Sequence, residues 1–118
     1  MEVSFANSTE VLQYANSQGL FDKLVRQLIK DFGLANIESG FNENVSLTAL
    51  EKLLTEKLYV LILEYFADYV NLLYVIDVPE KSFKDVAITD AVEVAKQVSF
   101  LVLKREFQKV WYKNKYAS

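Results

Sequence analysis

Between residues 20 and 32 the apolar positions advance by alternating steps of one and three: Leu20, Phe21, Leu24, Val25, Leu28, Ile29 and Phe32. On a helix of 3.6 residues per turn those steps close into one continuous stripe. Asp22, Lys23, Arg26, Gln27 and Lys30 take the opposite side. Gly33 suits the left-handed position that ends a helix, and Leu34 can then touch Ile29. The pattern predicts a helix over about 19–32. A shorter one is predicted over about 8–17. It opens with Asn7 and Glu10 in capping-box spacing and closes at Gly19.

Residues 34–45 read as a loop rich in Asn and Gly. Ser46 then opens the next helix, with Val45 and Leu50 placed as a hydrophobic staple across its cap. Nothing interrupts the apolar run from there to Ile76, and Pro79 marks its end, because a residue before proline resists the helical region. A helical turn at 79–86 is compatible with Pro79 in a first turn. Thr89 or Asp90 caps a last helix that runs to about Lys115. The Val, Ile and Tyr runs in 58–76 and 98–103 have strand-like composition. Their length without glycine or proline favours helix. The expected fold is all-α and bundle-like. It has two long antiparallel helices, about 46–76 and 90–115, and two shorter N-terminal ones, in a single domain over 1–118.

Composition narrows the function classes. The chain of 118 residues has no histidine and no cysteine. Disulfides, thiol nucleophiles, Cys/His zinc sites and histidine-based triads are therefore excluded. Its three glycines are isolated, so no phosphate-cradling loop can be drawn. No stretch carries a family motif. The first residues, Met1-Glu2-Val3-Ser4-Phe5, lack the basic and apolar regions of a signal peptide, and a cytoplasmic location is expected.

Leu58 to Ile76 approaches membrane-spanning length. Glu64, Asp68 and Asn71 lie within it, and their insertion cost cancels the apolar gain, so a buried helix is expected instead of a membrane span. On an unbroken helix those three share one stripe. They are then either a solvent seam or, for Glu64 and Asp68, a pair of ligands for Mg²⁺ in a hydrolase. The Glu-x-x-His of di-iron bundles is absent. No cofactor is expected.

Charge is unevenly spread. Residues 104–118 carry five cations against one acid, within a chain of net charge −3. On the last helix Lys104, Arg105, Lys109, Tyr112, Lys113 and Tyr116 form a basic face with interleaved tyrosines, suited to nucleic acid or an acidic partner. Cations at a helix C-terminus also simply complement the macrodipole. Tyr65, Tyr69 and Leu72 offer aromatic and apolar surface beyond what one hairpin partner covers, which predicts a homodimer interface. The leading expectation is a non-enzymatic helical protein acting through protein–protein contact. Nucleic-acid association is the alternative, and an Mg²⁺-dependent hydrolase on Glu64 and Asp68 the third.

Overall fold

A computed structural model describes residues 3–84 and 90–117. The described residues are all-α. Helices α1 (Ser8–Ser17), α2 (Phe21–Leu34), α3 (Leu47–Glu64), α4 (Phe66–Ile76), α5 (Glu80–Phe83) and α6 (Ala91–Tyr116) follow in order. Helix α6 is the axis, and α1, α2, α3 and α4 all pack on it. Its buried positions come in doublets four apart: Val94 and Ala95, Val98 and Ser99, Val102 and Leu103, Glu106 and Phe107, then Val110. Such a stripe is wide enough for several helices to share one core. Phe5, Tyr14, Phe107 and Trp111 add an aromatic cluster, with Tyr14 set edge-on to Phe107 at 5.7 Å.

The helix starts follow the capping chemistry expected of them. The Asn7 side chain accepts from Glu10 N, Ser46 from Ala49 N, and Asp90 from Val92 N. The Glu10 carboxylate reaches back to Ala6 N at 2.8 Å, one residue short of an ordinary capping box. Thr89, the other candidate cap of α6, lies outside the described residues.

Two expectations are corrected. Helix α2 does not stop at Gly33. It continues to Leu34, and Asn36 takes the left-handed conformation at φ 61°. Ile37 N donates to Phe32 O and Asn36 N to Gly33 O, the paired bonds of a Schellman turn. Ile37 thereby packs against the core, whereas Leu34 is left exposed. The same pair of bonds closes α1 around Gly19 and α4 around Asp77.

The second correction concerns the long helix over 46–76, which is two helices. Tyr65 leaves the helical region at φ −138°, ψ 58° and divides α3 from α4. No glycine, proline or capping side chain marks the break. Its effect is on direction. Thr55 of α3 meets Ser99 of α6 through hydroxyls 2.9 Å apart. A straight antiparallel continuation from that point would carry the end of α4 past the start of α6. Instead Asp77 lies beside Arg105, well along α6.

Glycine substitutions separate these helix ends. Gly33 is helical, and a Cβ added there meets nothing within 4 Å. Gly33→Ala is therefore expected to stabilise the fold by about 0.5–1 kcal/mol in urea denaturation. Gly19 has φ +69°, and Gly19→Ala is expected to destabilise by about 1 kcal/mol. A destabilised Gly33→Ala would return the end of α2 to Gly33.

Candidate functional site

The residues singled out for an interface divide. Tyr69 and Leu72 are 5% and 0% exposed and belong to the protein's own core. Burial also pushes the Tyr69 phenol up from its ordinary value. Both are corrected from interface to core, because the break at Tyr65 turns their face of α4 inward. Tyr65 stays outside at 55% exposure, with Leu63 at 56% and Phe66 at 49% beside it. All six residues from 63 to 68 are exposed. Tyr59 and Val60, one turn earlier on α3, continue the apolar surface. Val60 and Tyr65 also line a hollow of about 210 Å³ beside Asn36 and Ile37.

Glu64 and Asp68 sit on opposite sides of the break, both exposed. The helical spacing that would have aligned them does not exist across Tyr65. Among the described residues no group of three or more acidic side chains is placed to hold a metal ion. Among them also, no helix is long and apolar enough to cross a membrane.

The basic face of the last helix is dispersed. Arg105 donates from Nε to the Asp77 carbonyl and from Nη2 to its carboxylate, both at 2.9 Å. Lys104 lies over the Phe100 ring, 5.8 Å from its centroid. Lys113 donates to Gln27 Oε1 at 2.8 Å. Tyr112 and Tyr116 stack on each other at 6.3 Å. Lys109 turns inward to Asp31 of α2, with Nζ 2.5 Å from Oδ2. The six residues thus serve four separate places: the Phe100 ring, the end of α4, the side of α2, and the tip of α6.

Lys109 leads to the feature the sequence reading missed. Glu106 is 0% exposed and Asp31 3%, and Lys109 Nζ stands 2.6 Å from Glu106 Oε1. One ammonium therefore serves two buried carboxyls. Burial is the largest influence on both. For Glu106 it combines with the neighbouring Asp31 to push the pKa up to about 9. For Asp31, burial is outweighed by hydrogen bonds from Glu106, Lys109 and Gln27, which hold it below the usual carboxylate range. So Asp31 carries the charge and Glu106 the proton. Neither Glu106 oxygen has a hydrogen-bond partner of good geometry, and Lys109 approaches Oε1 as an ion pair at 2.6 Å. Gln27 completes the cluster, its amide nitrogen 3.2 Å from both Asp31 oxygens.

The missed signal was legible in part. Glu106 stands where the doublets of α6 demand an apolar residue. Asp31 is three residues after Leu28 and beside Phe32, on the flank of the α2 stripe. An acid in each of two apolar stripes, with a lysine three residues after one of them, is the pattern of a buried ion cluster.

Comparison with protein-family models, with curated proteins and with solved structures finds no match.

The cluster makes stability depend on pH in a stated direction. From about pH 5 to about pH 9 the folded chain keeps the Glu106 proton that the unfolded chain releases. Its contribution is complete at the acid end of that window and is lost as pH rises through it. The wild-type melting temperature is expected to fall over that range, and Glu106→Gln is expected to flatten the fall. A wild type equally stable across the window would contradict the assignment. Lys109→Met leaves Asp31 without its cation and is expected to cost on the order of 3 kcal/mol in urea denaturation.

Proposed function

We propose that this chain is a non-enzymatic, cytoplasmic protein that works through protein–protein contact and first of all pairs with a second copy of itself. The observation that carries this reading is the run of six exposed residues at the α3–α4 break, containing Leu63, Tyr65 and Phe66. Scattered exposed apolar side chains are ordinary, but contiguous ones mark contact surfaces. Tyrosine and phenylalanine supply large contact area there, and the phenol tolerates a wet edge. The hollow beside Val60 and Tyr65 gives the surface relief, so a ridge on one copy can enter a depression on the other. A two-fold pairing uses the same patch twice, which suits a surface carrying both shapes. Glu64 and Asp68 then stand at the rim of that interface, where charges set orientation more than affinity.

Light-scattering mass on a sizing column tests the reading. Twice the 13.6 kDa chain mass is expected at both low and high salt. Leu63→Glu with Phe66→Glu is expected to weaken self-association at least about tenfold, because contact energy concentrates in a few central apolar residues. Both side chains are exposed in the single copy, so helix content and melting temperature should hold. A wild type that stays monomeric at high concentration overturns the pairing.

A further inference from the structure

We infer that the cavity between α2 and the end of α6 is a site for a small molecule bearing two or more phosphate groups. The cavity measures about 310 Å³, and four cations line it: Lys23, Arg26 and Lys30 from α2, and Lys113 from α6. The α2 residues are spaced by three and four, which puts them on one face of the helix. Among the described residues no carboxylate lines the cavity.

What these cations do is the telling contrast. Elsewhere in the molecule Arg105 and Lys109 discharge on acids. Here Lys23 donates to Asn114 Oδ1 and Lys113 to Gln27 Oε1, each at 2.8 Å. A neutral amide orients an ammonium without cancelling its charge. Arg26 and Lys30 have no ion pair or hydrogen bond among the described residues. The nearest buried acid, Asp31, is already held by Lys109. It also takes the amide nitrogen of Gln27, which turns the Gln27 carbonyl oxygen toward Lys113. The buried cluster thus orients one wall of the cavity and adds no charge to it. Four like charges around one small volume repel each other unless an anion sits among them.

Size and shape select the ligand. The volume lies at the lower end of the roughly 300–1,000 Å³ range of small-molecule sites. Val110 and Ala117 contribute apolar surface, so a ligand with a less polar portion beside its phosphates fits. A nucleic-acid strand needs a track of cations. Among the described residues, Lys104, Arg105, Lys109 and Lys115 turn instead to Phe100, Asp77, Asp31 and the Tyr116 ring.

Isothermal titration of the full chain with sodium tripolyphosphate, at fixed ionic strength, is the test. Saturable one-to-one binding and a raised melting temperature are expected. Arg26→Glu with Lys30→Glu is expected to weaken binding at least about tenfold, since charge-assisted bonds to phosphate are lost and repulsion replaces them. Lys52→Glu with Lys96→Glu makes the same charge change at a different groove and is expected to weaken it no more than about twofold. Should the reversed pair fail to fold by circular dichroism, Arg26→Gln with Lys30→Gln replaces it, with the same order of effect. Non-saturable binding, equal losses in the two variant pairs, or tighter binding at the same salt to a single-stranded oligonucleotide or to vesicles containing anionic lipid would each overturn the assignment.

Discussion

The ammonium of Lys109 reaching Asp31 is the contact on which the arrangement of α2 against α6 depends. Helix α6 buries both positions of each doublet from Val94 and Ala95 to Glu106 and Phe107, and Glu106 is one of those positions. The apolar residues on either side, Leu103 and Phe107, are fully buried, so Glu106 is carried inside with them. An ionised carboxylate there would be costly, and a second one beside it more so. The cluster resolves this with one proton and one cation. Glu106 keeps its proton, Asp31 keeps its charge, and Lys109 sits between them. Sliding α2 along α6 by a turn would take Asp31 away from Glu106 and Lys109 and leave an unpaired buried carboxylate, a heavier loss than a few displaced methyl contacts.

That inward pull also shapes the surface. A helix end with five cations would ordinarily present one basic face. Lys109 is drawn into the core boundary and Arg105 is held by Asp77, so the face is taken apart. The register that joins Lys109 to Asp31 also brings Lys113 across from Lys23, Arg26 and Lys30. Positive charge is thereby lost from the outer side of α6 and gathered between two helices. The apolar surface at the α3–α4 break shares no residue with that basic cavity.

Helix ends account for the remaining differences between pattern and structure. Three Schellman turns, at Gly19, Asn36 and Asp77, each place an apolar residue back on the core: Leu20, Ile37 and Val78. A non-glycine residue in the left-handed region carries a steric cost. Asp77 is held there from outside, since Arg105 binds both its carbonyl and its carboxylate. Asn36 needs no such clamp, because asparagine is among the residues that tolerate this conformation.

Local pattern determined much of this protein. The apolar stripe of α2 and the caps at Asn7, Ser46 and Asp90 follow from interactions within a few residues of each other, and such interactions can be read along a chain. The all-α class follows from them. The tertiary structure alone decided the rest. Whether α2 ended at Gly33 or at Asn36 depended on whether Leu34 or Ile37 found the core. The break at Tyr65 has no local marker, and it arises where α3 and α4 meet different parts of α6. Tyr69 and Leu72 became core and Tyr65 became surface as a consequence. The raised pKa of Glu106 comes first from its burial in the packed core and then from Asp31, a carboxyl 75 residues away in the chain. Charge and burial act through space, so residues distant in sequence set them only once the helices have packed.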